Sequence, residues 1–114
     1  MRGKSSPQLA ISETELREQI RDLCKYTGWK FYFTWNSYHS PKGLPDLILR
    51  KKPRLIFAEL KSEKGELSDA QLDWYFDLKE SGFEVYIWRP SMFNQIVEIL
   101  QGKGNNERVN HGTP

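Results

Sequence analysis

The stretch GLPDLILRKKPRLIFAELK, residues 43–61, predicts the centre of the fold: two apolar strands joined by a basic turn. Apolar side chains occupy both faces of these strands, which is typical of strands covered on two sides. Pro53 suits the turn, because proline cannot donate to a central ladder of hydrogen bonds. Each strand nevertheless carries a carboxylate, Asp46 on the first and Glu59 on the second, and Lys61 follows. A buried carboxylate is costly unless it is paired, so these charges need an explanation.

Antiparallel pairing of the two strands brings the three charged residues to one end of the hairpin. The start of the first strand meets the end of the second, so Asp46 is expected beside Glu59 and Lys61. Two adjacent carboxylates repel each other unless a cation lies between them, and hard oxygen ligands favour Mg²⁺ or Mn²⁺. Such a metal can polarise a phosphoryl oxygen and lower the pKa of a bound water. The alternative is a solvated ion pair of no functional value. The joint placement of all three residues favours the metal site.

Helical and strand patterns around this hairpin predict a single α/β domain. Ser12 and Glu15 have capping-box spacing at the start of a helix that Gly28 ends. The third and fourth strands are separated by the length of a right-handed βαβ crossover, so they are expected to be parallel neighbours. The predicted helices are 12–27, 68–81 and 90–100, and the predicted strands are 29–35, 46–50, 54–61 and 84–88. The expected fold class is α/β, a mixed sheet flanked by helices in the order α-β-β-β-α-β-α.

The length of 114 residues allows one compact domain. We expect a flexible arm at 1–11, the domain at 12–101 and a flexible tail at 102–114. Cys24 is the only cysteine, which excludes an intrachain disulfide, and with two histidines it cannot build a structural zinc site of the usual kind. No apolar run is long enough for a signal peptide or a membrane span, so an intracellular protein without a membrane partner is expected.

Positive charge is concentrated around the hairpin, although the formal net charge of the chain is only +2. Lys42 and Lys64 flank the expected site and are candidates for phosphate contacts. His39, in the polar loop before the first strand of the hairpin, is a further candidate, with a solvated loop histidine as the alternative. The cations of the basic turn are expected to be solvated, with a distal nucleic-acid contact as the second interpretation: Arg50, Lys51, Lys52 and Arg54.

An ordered series of motifs gives the chain a resemblance to a known family. The series is Gly43-x-Pro45-Asp46, Glu59-x-Lys61, Gln71-x-x-Trp74, and Gly82 before a strand ending in Trp88. The chain thus resembles the VRR-NUC (virus-type replication-repair nuclease) group of the PD-(D/E)xK nucleases, from about Glu15 to Pro90. The resemblance implies a restriction-endonuclease-like sheet and a nuclease of the small stand-alone, often viral or phage, type.

The resemblance also implies a role for each matched residue. The implied ligands of Mg²⁺ or Mn²⁺ are Asp46, Glu59 and the Leu60 carbonyl. Lys61 would be the catalytic lysine and Gln71 the glutamine of the family's fourth motif. Glu15 would be an acid from the first helix that completes the catalytic site and binds the metal directly or through water. The implied DNA-binding set is Lys42, Lys64 and His39.

Local physics leaves two of these roles open. Gln71 has capping-box spacing from Ser68, and it also begins the helical stripe that faces the sheet, so the two roles are compatible. Glu15 could serve only as the capping partner of its helix, in which case Glu18 or Asp22 is the acid that reaches the site.

The expected function is therefore a Mg²⁺- or Mn²⁺-dependent DNA nuclease that hydrolyses phosphodiester bonds. The resemblance implies a homodimeric, structure-selective endonuclease similar to Holliday-junction resolvases, acting on branched DNA in viral replication, recombination or repair. The alternatives are a non-catalytic DNA-binding module and a nuclease subunit that is silent without a partner.

Overall fold

The element order α-β-β-β-α-β-α is confirmed in the computed structural model, which describes residues 11–34 and 42–102. The elements are α1 (Glu13–Thr27), β1 (Lys30–Phe33), β2 (Leu47–Lys51), β3 (Arg54–Leu60), α2 (Asp69–Glu80), β4 (Glu84–Trp88) and, after a 3₁₀ turn (Pro90–Met92), α3 (Phe93–Leu100). Nearly all of the predicted arm and tail, and His39, lie outside the described residues. None of the helices described has both the length and the apolar character needed to cross a bilayer.

Helix α1 begins and ends where the sequence predicts. The Ser12 hydroxyl accepts a hydrogen bond from the Glu15 N–H at 3.1 Å, and the Glu15 carboxylate accepts one from the Ser12 N–H at 3.0 Å. Gly28 ends the helix with φ of 85°, a left-handed conformation that glycine adopts without steric cost. On the buried side of α1, burial raises the pKa of Cys24 to about 12, so this thiol is inert at neutral pH.

The sheet is mixed and has the strand order β1-β2-β3-β4. β1 is antiparallel to β2. β2 is antiparallel to β3, as expected for the hairpin at the centre of the sequence. β3 and β4 are parallel, which confirms the βαβ crossover through α2. The β2–β3 register pairs Leu47 with Ala58 and Lys51 with Arg54, and this register fixes the partners of every charged residue on the hairpin.

The two faces of the sheet differ in how they are covered. On one face, which we call the core face, α1 and α3 pack against fully buried side chains such as Leu49, Ile56 and Trp88. The opposite face, which we call the site face, carries Glu59 and is covered by α2, which packs chiefly against β4. No residue of α2 is buried, and the site face stays open over β1, where Tyr32 is 59% exposed.

Two cations of the basic turn help to hold the far end of the fold together. The Lys51 ammonium donates to the Thr27 carbonyl at the end of α1 at 2.6 Å. The Arg54 guanidinium pairs with Glu84 and donates to the Ile99 carbonyl of α3 at 2.9 Å. The prediction of a solvated turn was wrong for Arg54, whose side chain is largely buried in these contacts, whereas Lys51 stays exposed. Strand alternation aims both residues at the core face, where helix ends supply carbonyl acceptors.

Candidate active site

Asp46 and Glu59 face each other across the β2–β3 hairpin. Leu47 pairs with Ala58, so the next pair along the ladder is Asp46 with Glu59, and both project from the site face. The Asp46 carboxylate accepts a hydrogen bond from the Leu60 N–H at 3.0 Å, which fixes it against β3. The structure thus brings together the two carboxylates that the sequence predicts to be neighbours.

Glu59 is held in an environment that disfavours its negative charge. Glu59 is 5% exposed, and among the described residues it is the one charged residue that is buried. Burial raises the pKa of Glu59 to about 8, and Asp46 adds to the rise by Coulombic repulsion and by hydrogen bonding to the protonated acid. The Lys61 ammonium acts in the opposite direction, which places it within electrostatic range of the pair. Among the described residues, no partner hydrogen-bonds the buried Oε1 of Glu59.

Gln71 performs both of the roles that its sequence position left open. Its N–H donates to the Ser68 hydroxyl at 3.1 Å, and its side-chain Oε1 accepts from the Ser68 N–H at 2.9 Å, which closes a capping box. The Nε2 of the same amide donates to Oε2 of Glu59 at 2.9 Å. One side chain therefore starts α2 and orients a carboxylate of the site.

Gly43 brings the loop that carries Asp46 against the first turn of α2. Its φ is 89°, and a Cβ added at this position would lie 2.3 Å from the Ala70 carbonyl oxygen and 2.8 Å from the Gln71 nitrogen. Real Cβ atoms essentially never approach so closely, and the neighbouring atoms are backbone that cannot rotate away. The glycine therefore allows a close approach between the Asp46 loop and the helix that holds Gln71.

We expect Gly43→Ala to destabilise the protein by about 3 kcal/mol, the sum of a left-handed backbone penalty and steric overlap. The matched control is Gly82→Ala, because Gly82 has φ of 91° and no atom within 4 Å of an added Cβ. Only the backbone penalty applies there, about 1–2 kcal/mol. Thermal unfolding of both variants measures the difference. Equal losses of stability would contradict the close approach at Gly43.

The segment after β3 is held by Arg89, which directly follows β4, and by Ser91 in the 3₁₀ turn. The Arg89 guanidinium donates to three main-chain carbonyls within residues 62–65 at 2.7–3.2 Å. The Glu63 carboxylate accepts from the Ser91 N–H at 3.0 Å and from its hydroxyl at 2.6 Å, and these bonds lower the pKa of Glu63. Because Lys61 immediately precedes this segment, the hydrogen bonds of Arg89 restrict the position of the Lys61 backbone. Sequence reasoning missed Arg89.

Thr34, at the end of β1, fixes the backbone of the Asp46 loop. Its N–H donates to the Asp46 carbonyl at 2.8 Å, and its hydroxyl lies 3.2 Å from the Pro45 carbonyl and 3.1 Å from that of Asp46. The ladder between β1 and β2 therefore continues one step beyond the strand ends. This positioning residue was also missed, because no local motif marks it.

The acid of α1 whose charge acts on Glu59 is Glu13, whereas Glu15 caps its own helix. The Glu15 carboxylate is engaged by the Ser12 N–H in the capping box, whereas the negative charge of Glu13 contributes to the raised pKa of Glu59. The two residues are 200° apart around the helix axis at about 100° per residue, so only one can face the sheet. A role for Glu15 at a bound metal stays a prediction.

The alternatives proposed on α1 lie elsewhere. Glu18 forms ion pairs with Arg17 at 3.5 Å and with Arg21 at 3.2 Å. Asp22 lines a cleft of about 520 Å³ between α1 and the 3₁₀ turn, which contains neither carboxylate of the site. Neither acid has a contact that connects it with Glu59 in the part of the chain that the structure describes.

The predicted phosphate-binding lysines lie on the two segments that border the carboxylates. Lys42 is exposed and immediately precedes Gly43, in the loop that docks on α2. Lys64 is exposed in the segment that Arg89 holds. His39, the third predicted DNA contact, lies outside the described residues.

The oxygen atoms of this site fit a hard divalent cation. Glu59 presents a buried oxygen without a hydrogen-bond partner, and Asp46 lies against it so closely that both cannot easily be ionised without a cation. Residues 11–34 and 42–102 contain no cluster of three or more His, Cys, Asp or Glu side chains arranged to hold a metal. The Leu60 carbonyl and water would therefore have to supply the remaining oxygen ligands that Mg²⁺ or Mn²⁺ requires.

Comparison with known proteins agrees with the motifs on which this site is built. A model of the VRR-NUC domain matches residues 2–92, a range that includes every residue of the site described above. No curated protein and no solved structure gave a match. The matched range is most of the chain, and the chain belongs to the VRR-NUC family of nuclease-type domains, which act on DNA in replication and repair.

Proposed function

We propose that this protein is a Mg²⁺- or Mn²⁺-dependent deoxyribonuclease that hydrolyses phosphodiester bonds at the Asp46–Glu59 pair. The observation that carries the proposal is the buried, unpartnered oxygen of Glu59 opposite a second carboxylate and within range of the Lys61 ammonium. A structural ion pair would not need a second carboxylate in this position, since the repulsion is unfavourable. Perturbed pKa values of this kind are common at catalytic sites.

We assign each residue of the site a role in this proposal. Asp46, Glu59 and the Leu60 carbonyl would hold the cation, which when bound would offset the carboxylate repulsion and polarise a phosphoryl oxygen. Lys61 orients the attacking water and stabilises negative charge that develops on the phosphate. Gln71 acts through Glu59, because its Nε2 already donates to that carboxylate. Gln71 is therefore a positioning residue for the metal ligand.

We propose branched DNA as the substrate and a two-fold homodimer as the assembly. A chain of 114 residues offers a small footprint, and branched DNA presents paired scissile strands. A two-fold homodimer would place one site on each strand. The protein would then act as a structure-selective endonuclease in viral replication, recombination or repair.

We expect purified protein to cut branched DNA with Mn²⁺ or Mg²⁺ and to lose cleavage in EDTA. The test is incubation with hairpin, flap, four-way and linear DNAs of shared sequence, with products mapped on denaturing gels. Sedimentation at the same concentrations measures the assembly, which should be a dimer.

The other outcomes of this experiment separate the alternatives. Tight binding without cleavage under every divalent ion would indicate a non-catalytic DNA-binding module. Cleavage that appears only after addition of a second protein would indicate a subunit that is silent alone. Equal cleavage in EDTA and in Mn²⁺ would contradict the metal-dependent mechanism itself.

A further inference from the structure

The open half of the site face carries an exposed aromatic residue beside a pair of cations. Strand alternation places Lys30, Tyr32, Ile48 and Arg50 on the same face as Asp46. The β1–β2 register pairs Lys30 with Arg50 and Tyr32 with Ile48, so these four side chains form two adjacent cross-strand pairs. Lys30, Tyr32 and Arg50 are all exposed, with Tyr32 at 59%.

These four residues, which we call the strand track, lead directly from the two carboxylates toward the hairpin turn. Arg50 lies four residue steps from Asp46, a distance of about 13 Å at about 3.3 Å per residue. The strand track is therefore long enough to contact a few nucleotides of one strand. In the described strands, no acidic residue occupies the site face between the carboxylate pair and the turn.

The side chains of the strand track have no structural task among residues 11–34 and 42–102. The side chains of Lys30, Tyr32 and Arg50 form no hydrogen bond, ion pair or ring contact there. Lys51 and Arg54 differ, because both point to the core face and bind helix carbonyls. Alternation along β2 and β3 thus divides the basic turn into cations that hold the fold and an Arg50 that remains available for a ligand.

We propose that the strand track binds an unpaired segment of the DNA substrate and leads it to the Asp46–Glu59 pair. This inference rests on the proposed nuclease function and specifies its substrate as DNA with a single-stranded part. Tyr32 stacks on a base, and Lys30 and Arg50, the cross-strand pair next to it, contact the adjoining phosphates. An unpaired segment is required because the faces of paired bases are already covered by their neighbours in a duplex.

A second copy of the chain is the competing occupant of this surface, and the charges oppose it. A two-fold contact repeats the same patch on both subunits, so Lys30 and Arg50 would meet the same cations of the partner. Like charges placed against each other across an interface are unfavourable, whereas a phosphate backbone complements them. The apolar part of the strand track is limited to the Tyr32 ring and Ile48, which is also small for a stable dimer.

Binding measured in EDTA tests the strand track without any contribution from cleavage. The probes are a fluorescein-labelled single-stranded oligonucleotide and a blunt duplex of the same sequence, followed by anisotropy. We expect Tyr32→Ala to weaken single-strand binding about tenfold, because losing the stacking of one base on an aromatic side chain lowers the affinity by about that factor. Duplex binding should change less than twofold. Tyr32→Phe keeps the ring and should bind like the wild type.

Salt dependence separates the two cations from a general effect of charge. For single strands, log K against log [salt] has a slope of about −0.7 per phosphate contact. The double variant Lys30→Ala/Arg50→Ala should therefore have a slope shallower by about 1.4. The matched control is Lys25→Ala/Lys79→Ala, which removes two cations from the helices and should leave the slope near that of the wild type.

Each other result overturns the inference. If Tyr32→Ala weakened the binding of both DNAs equally, or weakened neither, the strand track would not bind an unpaired segment. A change of sedimentation coefficient without a change in DNA affinity would assign the surface to a second copy. A wild-type protein that binds neither DNA would overturn the proposed nuclease function as well, whereas cleavage by a protein indifferent to these substitutions would overturn the strand track alone.

Discussion

The Lys61→Ala protein should bind four-way DNA with nearly the wild-type affinity and cut it about 10²–10³-fold more slowly. Removing one group that stabilises developing charge in a transition state typically costs this much. Lys61 is within electrostatic range of Glu59, and its removal leaves both carboxylates in place. Single-turnover cleavage in Mn²⁺ and binding in EDTA measure the two quantities separately.

The control for Lys61 is Lys64→Ala, which removes the same charge three residues later. Lys64 is exposed on the bordering segment, and we expect it to contact phosphate. Its loss should weaken binding and reduce the salt slope by about 1, with little change in the single-turnover rate at saturation. Undiminished cleavage by Lys61→Ala would exclude the proposed mechanism.

The Glu59→Gln protein should lose cleavage and gain stability at alkaline pH in the absence of metal. The pKa of Glu59 is about 8 in the fold against an ordinary value of 4.5, so between these values the folded state binds a proton that the unfolded chain releases. Wild-type stability therefore falls as the pH rises from about 4.5 to 8. The uncharged amide avoids this loss, and the variant should be more stable at pH 9 by about 2–5 kcal/mol, since the full shift corresponds to about 5 kcal/mol.

Denaturant unfolding from pH 5 to pH 9 measures this effect, with Glu66→Gln as the control. Glu66 is exposed, and the same chemical change there should leave the pH dependence as in the wild type. Saturating Mn²⁺ should stabilise the wild type by about 2.7 kcal/mol at a hundred times Kd, and the Glu59→Gln protein much less. Parallel pH profiles for the wild type and Glu59→Gln would show that Glu59 titrates normally.

Periodicity was sufficient to predict the centre of the site. The alternation of apolar residues fixed which side chains of β3 share a face, and antiparallel pairing then placed Asp46 opposite Glu59. The capping boxes of α1 and α2 were also predictable, because their residues lie three positions apart in the sequence. Such local rules depend on covalent geometry and hold in almost any tertiary context.

The remaining contacts depend on the packing of distant segments. Glu13 and Glu15 both lie in the first turn of α1, and only the docking of that helix on the sheet decides which of them has its charge within range of Glu59. Arg89 reaches carbonyls about 25 residues away in sequence, and Thr34 reaches across a chain segment to Pro45. A lone arginine or threonine has no spacing that marks such partners.

The incomplete burial of α2 has a consequence for hydrogen exchange. A helix without a buried residue has little apolar area to hold it, so its amides should exchange through local opening, at a lower free energy than those of β3 and α1. Gln71 leaves Glu59 whenever α2 detaches, because the same side chain caps the helix and orients the carboxylate. The fraction of molecules competent for catalysis is then set by a subglobal equilibrium of one helix. Across variants, the catalytic rate should therefore correlate more closely with amide exchange rates in α2 than with the midpoint of global unfolding.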